Sequence, residues 1–225
     1  MKNIAKKVLI LVAHPDDEIL GCGGTIAKYS KDDDIYVAIL GEGMLSRHKM
    51  KRTNLTELKG QSRKANKILN TKDVLFFDLP DNQFDTVSFL EIVKKIENII
   101  GEINPSIIYT HHPGDLNIDH RITFRAVLTA TRPIGHIVKD IFSFEVLSST
   151  EWSYQKMGSS FNPNYYEDIS GFMEKKIDSM KAYVSEIKEF PHPRSSEGIR
   201  IMAQKRGMEV GIKYAEAFEL IRHIQ

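Results

Sequence analysis

The amino-acid sequence predicts an α/β fold: a parallel β-sheet with helices on both faces and a helical extension at the C-terminus. Two observations carry this. Short runs of apolar, β-branched residues recur along the chain, and each is followed by a longer segment of helical periodicity. The runs are apolar throughout rather than alternating, as strands buried on both faces are, and such strands belong to parallel sheets covered by helices.

Taken in order, residues 8–13 form the first strand and 19–31 the first helix. Residues 35–40 are a second strand, followed by a polar loop and a helix near 55–69. A third strand at 74–79 leads into a helix near 87–100, and a fourth at 106–111 into a helix near 119–130. Residues 141–146 are the fifth strand. Connections of this kind cross over with right-handed chirality. The end of the chain differs. Residues 171–188 read as an amphipathic helix. The run Phe-Pro-His-Pro-Arg at 190–194 must be extended, because Pro191 and Pro193 both interrupt a helix. Residues 199–224 read as a final helix, kinked at Gly207 or Gly211. With no repeat and no low-complexity linker, the expectation is one domain over 1–225.

Composition narrows the partners. Hydrophobic residues make up 41% and charged residues 27% of the 225, as in an ordinary globular protein. The formal net charge of +1 offers no field for nucleic acid or an anionic membrane, so a small-molecule partner is expected. The single cysteine, Cys22, excludes an intrachain disulfide and a cysteine-rich zinc site, and suits a reducing, cytoplasmic setting. The apolar run at 8–13 is too short for a signal peptide, and no stretch approaches the ~20 apolar residues of a membrane span.

In open α/β sheets ligands bind beyond the carboxyl ends of the strands. His14-Pro15-Asp16-Asp17-Glu18 follows the first strand directly. It is either a solvated turn whose acids cap the next helix, or the first half of a metal site. Gly21-Cys22-Gly23-Gly24 lacks the dinucleotide-binding spacing, and the acids before it would repel a pyrophosphate. Its glycines instead allow close helix packing, with Cys22 a small buried residue. After the fourth strand, His111, His112 and His120 fall within ten residues, with Asp115, Asn117 and Asp119 between them. Asp119 or Asn117 caps the helix that begins there. His14, Asp17 and His120 would make a two-histidine, one-carboxylate zinc set with a position open for water, and Asp16 is a carboxylate able to take that water's proton. Fe2+ or another divalent ion suits the same donors.

The Ala-His-Pro-Asp-Asp-Glu run at 13–18, with the later Asp119-His120, resembles the PIG-L/LmbE deacetylases. Weaker similarities continue at 42–47, at 79–82, at Arg206-Gly207 and at 214–218. The resemblance implies a Rossmann-like fold, a divalent metal, usually zinc, and hydrolysis of the acetamide of an N-acetylglucosamine-type sugar or conjugate. It implies that His14, Asp17 and His120 hold the metal, that Asp16 is the general base, and that Arg47 contacts substrate. It also implies a homo-oligomer. One position departs from the pattern: many members carry a histidine where this chain has Asn117. An asparagine can donate to an oxyanion but cannot transfer a proton. Asn117 and Asp119 therefore join Asp16 as catalytic candidates. His112 and His192 are candidate proton donors, and His192 and Arg194 candidate substrate contacts, Arg194 for an anionic group. Trp152 either stacks on a sugar at the mouth of the site or is buried in the core or an interface. Two further readings stay open: a non-catalytic carbohydrate-binding protein on this fold, and a hydrolase of another sugar-conjugate amide.

Overall fold

The computed structural model describes residues 5–43, 52–134, 138–154, 156 and 158–225. Its strands are β1 (Lys7–Val12), β2 (Asp34–Gly41), β3 (Asp73–Leu79), β4 (Ile107–His111), β5 (Asp140–Phe144), β6 (Tyr165–Asp168) and β7 (Ala215–Arg222). Its α-helices are α1 (Asp17–Tyr29), α2 (Arg52–Leu69), α3 (Phe89–Ile103), α4 (Ile118–Ala130), α5 (Met173–Ala182) and α6 (Ser196–Val210). The strands form one seven-stranded sheet in the order β3-β2-β1-β4-β5-β7-β6. The first five are parallel, and β7 runs antiparallel between β5 and β6.

The strand β1 shows why the sheet is covered on both sides. Successive residues point to opposite faces. Val8, Ile10 and Val12 enter one core with residues of α1, α2 and α5, whereas Leu9 and Leu11 enter a second core with residues of α3 and α4. On α3, Ile92, Ile96, Ile99 and Ile103 recur at helical spacing and are all buried in that second core. Each such side chain contributes about 1.5–3 kcal/mol when fully buried. Among the described residues, no helix is long and apolar enough to cross a membrane.

Close packing also explains the glycine run. The helix α1 is broken at Cys22, whose φ and ψ of −146° and 25° are not helical. Beyond the break, the buried carboxylate of Glu216 accepts the Gly24 and Thr25 N–H groups at 2.8 and 2.7 Å, and Lys176 Nζ donates to Glu216 and to the Leu20 carbonyl. A Cβ on Gly21 would lie 2.2 Å from Phe144 Cδ2, and one on Gly24 2.7 Å from Ile169 Cγ2. Cys22 is buried and unpaired with another cysteine.

The C-terminal reading needs correction. The helical extension consists of α5 and α6, and the expected helix over 199–224 stops at Val210. Gly211 caps it in the left-handed conformation at φ 77°. The chain then enters β7, whose Ala215, Glu216, Ala217 and Phe218 are all buried. Ala, Glu and Leu favour helix intrinsically, but β5 would otherwise present an unpaired edge, and strand pairing decides the outcome. The short partner strand β6 has no counterpart in the sequence reading.

The chain moves outward from β1 through β2 to β3, then returns to the other side of β1 with β4. That reversal opens a crevice beyond the carboxyl ends of β1 and β4, the place where ligands bind in such sheets. The parallel register of Val8 with Ile107 and Ile10 with Tyr109 brings the segment after Val12 beside the segment after His111.

Candidate metal and catalytic centre

Both motifs meet in this crevice. His14, Asp17 and His120 each offer a ligand atom, and these atoms lie within 4.8 Å of one another. His14 Nδ1 is 3.5 Å and His120 Nε2 3.3 Å from the same oxygen, Asp17 Oδ2, which also accepts the His14 backbone N–H at 2.8 Å. The outward nitrogens are backed by carboxylates. His14 Nε2 donates to Asp119 Oδ2 at 2.9 Å, and His120 Nδ1 lies 3.2 Å from Asp115 Oδ1. A carboxylate behind each imidazole fixes ring and tautomer and makes the inward nitrogen a better ligand.

Each carboxylate is itself held. Asp119 accepts the backbone N–H groups of Asn82 at 2.7 Å and Phe84 at 3.0 Å. Asp115 accepts the hydroxyls of Ser149 and Thr150. The helix α4 that carries Asp119 and His120 is capped by Asn117, whose Oδ1 accepts the Asp119 N–H at 2.8 Å. Asp16 precedes α1 at φ 99°, an unfavourable conformation for a residue with a Cβ, and side chains held in such strain cluster at functional sites.

The electrostatics favour a cation. Asp16, Asp17, Glu18, Asp115, Asp119 and Glu186 are all buried around the cluster, with Arg194 set among them. Burial disfavours the charged form of His14, but hydrogen bonds to Asp119 and Asp17 outweigh it and raise its pKa to about 9. Burial is likewise outweighed at His120, where Asp17 and Asp115 raise the pKa to about 10. The carboxylates thus hold protons on the two imidazoles, positive charge that a divalent ion would supply instead. The donor set of two imidazoles and one carboxylate fits zinc or iron. Asp17 is held well below the usual range: burial opposes ionisation, and the neighbouring His120 and His111 overcome it. Asp16 is pushed well up by burial, only partly offset by Arg194.

The centre opens into a cleft of about 150 Å³ lined by His14, Asp16, Asp17, Asn82, Asn117 and Arg194, among others. Asp119, expected to take part in catalysis, is fully buried and does not line the cleft; its Oδ2 instead meets His14 Nε2. Arg194 is not free to receive an anion as expected: Nη1 donates to Asp16 at 2.8 Å and lies 3.4 Å from Glu186, and Nε donates to Ser148 Oγ at 2.7 Å. His112 is committed through both nitrogens, to Glu219 and to the Ser159 carbonyl, each at 3.0 Å. His192 does not line the cleft; its Nδ1 accepts the Arg194 N–H at 3.1 Å. Arg47 lies outside the described residues. The sequence reading noted His111 in the cluster but gave it no role; its Nε2 accepts the Ala13 N–H at 2.8 Å while its ring stacks on His120. It also missed Glu186, which no motif or spacing singles out.

A family model described as GlcNAc-PI de-N-acetylase (PIG-L) matches residues 9–131, which spans both motifs. The chain belongs to the PIG-L family. The diacetylchitobiose deacetylase of Thermococcus kodakarensis is 27% identical, over 97% of this chain and 84% of that protein. Among solved structures, N,N'-diacetylchitobiose deacetylase from Pyrococcus horikoshii superposes with a TM-score of 0.80 at 19% identity, covering 97% of this chain and 84% of that one. GalB, the 4-carboxy-2-hydroxymuconate hydratase of Pseudomonas putida KT2440, superposes with a TM-score of 0.78 at 19% identity over 98% of both chains. Likeness at this level of identity shows the fold alone, and the function of this chain is argued from its centre.

Proposed function

We propose that this chain hydrolyses the N-acetyl group of an N-acetylglucosamine-type sugar or conjugate, releasing acetate and a free amine, with a divalent metal, zinc foremost, held by His14, Asp17 and His120. The observation that carries the reading is the buried pair of imidazoles, each backed by its own carboxylate and sharing one oxygen of Asp17. A divalent ion bound there would polarise the acetamide carbonyl and lower the pKa of water.

The chain's own groups do the rest. Asp16 borders the cleft beside Asp17, and burial raises its pKa, which makes it a stronger base than a free carboxylate. It takes the proton of the attacking water. Arg194 and the positive-φ backbone hold its carboxylate in place. Asn117 donates one amide hydrogen to Asn82 Oδ1 at 3.0 Å and has a second hydrogen for the developing oxyanion. With His112 engaged at both nitrogens and His192 outside the cleft lining, Asp16 also returns the proton to the leaving nitrogen. Asp119 and Asp115 position the imidazoles. The reading takes the chain as a cytoplasmic enzyme acting on a small molecule.

Asn117 in place of a histidine favours one second reading, a sugar-binding protein without turnover. The test is acetate release from N-acetylglucosamine and N,N'-diacetylchitobiose in the presence of zinc, for the wild type and Asp16→Asn. Release by the wild type, reduced by about 10²–10⁴ in the variant with metal content unchanged, is the expected result. Near-normal activity in Asp16→Asn would remove the base assignment, and binding without release by the wild type would favour the second reading.

A further inference from the structure

Asp16 holds a φ of 99°, and a residue with a Cβ stays in that region only where its surroundings impose it. Part of the constraint comes from Glu18, whose Oε2 accepts the Asp16 backbone N–H at 3.1 Å. The other oxygen, Oε1, accepts the Tyr183 hydroxyl at 2.5 Å and Asn66 Nδ2 at 2.8 Å. Glu18 belongs to α1, Asn66 to α2, and Tyr183 caps the end of α5, so three helices meet on one carboxylate. All three side chains are 0% exposed, and none lines the cleft. The chain after Tyr183 returns to the same residue. The Glu186 and Ile187 N–H groups turn back onto the Tyr183 carbonyl, and Arg194, from beyond that turn, donates to Asp16 Oδ2. Asp16 is thus gripped twice from one segment, at its backbone by way of Tyr183 and Glu18, and at its carboxylate by Arg194.

Resting on the deacetylase reading, in which Asp16 is the general base, we infer that Tyr183 is a positioning residue for Asp16, acting through Glu18. Neither side chain reaches the cleft, so both act on the chemistry only through the Asp16 backbone. A base must meet its proton in a narrow geometry, and a misplacement of about 1 Å costs about 10²-fold in rate. Packing alone does not account for the arrangement. A buried carboxylate that needs three donors to satisfy it costs the fold more than an apolar side chain of the same size would. The hydrogen bond to the Asp16 N–H is what the carboxylate adds. It holds the peptide in the left-handed region, and Tyr183 and Asn66 hold the carboxylate.

The experiment compares the zinc-loaded wild type with Tyr183→Phe, Glu18→Gln and Glu18→Ala. Acetate release from N,N'-diacetylchitobiose is expressed per bound zinc, and hydrogen exchange of the Asp16 amide is followed by NMR, which needs no turnover. Tyr183→Phe removes one buried oxygen and keeps the ring, so it carries the test should Glu18→Ala fail to fold. A fall in kcat of about tenfold in Tyr183→Phe and about a hundredfold in Glu18→Ala is expected, with KM unchanged and the Asp16 amide exchanging faster in both. Glu18→Gln should retain most of kcat. Its carbonyl serves the Asp16 N–H, and its NH2 group turns to Asn66, whose Oδ1 has no hydrogen-bond partner among the described residues. Wild-type kcat and wild-type amide exchange in Tyr183→Phe and Glu18→Ala, with only thermal stability lowered, would overturn the positioning role and leave the deacetylase reading intact. Equal loss in Glu18→Gln and Glu18→Ala would assign the effect to the missing charge and overturn it too. Faster Asp16 exchange in the variants of a protein whose wild type releases no acetate would keep the hold on Asp16 and overturn the deacetylase reading.

Discussion

Asp119→Asn separates a residue that positions the centre from one that takes part in the chemistry. The Asp119 carboxylate accepts three hydrogen bonds, from Asn82 N–H at 2.7 Å, Phe84 N–H at 3.0 Å and His14 Nε2 at 2.9 Å. An asparagine carbonyl can replace only one of the two oxygens, and its NH2 group then faces a donor. If the carbonyl keeps the oxygen shared by Asn82 and His14, the Phe84 N–H is left buried and unpaired, costing about 1–3 kcal/mol. For a chain of this size each kcal/mol lowers the melting temperature by about 2–4 °C. His14 also loses a charged partner, and disturbing such a carboxylate typically lowers metal affinity about 10- to 100-fold. The assay is competition for zinc against a chelator of known affinity, with acetate release measured across a zinc series. Weakened metal binding with activity recovered at saturating zinc is expected. Wild-type metal affinity with turnover lost at every zinc concentration would refute the positioning role and return Asp119 to the chemistry.

Two predictions concern the scaffold. Gly21→Ala drives a methyl group to 2.2 Å from the Phe144 ring and should cost about 1–3 kcal/mol by overpacking, read as a lowered urea midpoint; an unchanged midpoint would mean that α1 and β5 separate easily. Glu219 is held below the usual carboxylate range, because hydrogen bonds from His112 and the Asn162 N–H outweigh the effect of burial. A lowered carboxylate pKa stabilises the fold above the unfolded value near 4.5, and that contribution is lost as pH falls through the folded value. The stability gap between wild type and Glu219→Gln should therefore be present at neutral pH, at most about 1 kcal/mol for this partly exposed group, and close in acid. A gap independent of pH would contradict the assignment.

Much of the fold and half of the centre were legible in the sequence. Strands with apolar residues on both faces announce a covered parallel sheet, and His14–Glu18 and His111–His120 stand out because each follows such a strand. What a linear reading could not supply is what distant segments contribute. Arg194 carries a formal charge that invites an anion, yet two carboxylates that neutralise it, Asp16 and Glu186, arrive from elsewhere in the chain. Asp119 reads as a reactive acid until the Asn82 and Phe84 amides, from the loop after β3, are seen to enclose it. The segment 215–222 has helical propensity, and only its place between β5 and β6 makes it a strand. Local chemistry is visible locally, whereas the partners that fix its protonation and orientation are set by topology.

The central claim is that His14, Asp17 and His120 together hold one divalent ion. The most direct test is elemental analysis of the wild type and His120→Ala, purified identically without added metal or an affinity tag. About one zinc or iron per wild-type chain, absent from His120→Ala, is the result expected of a site with three protein ligands. A wild type that is metal-free and takes up no added zinc, or a variant that retains the wild-type metal content, would contradict it.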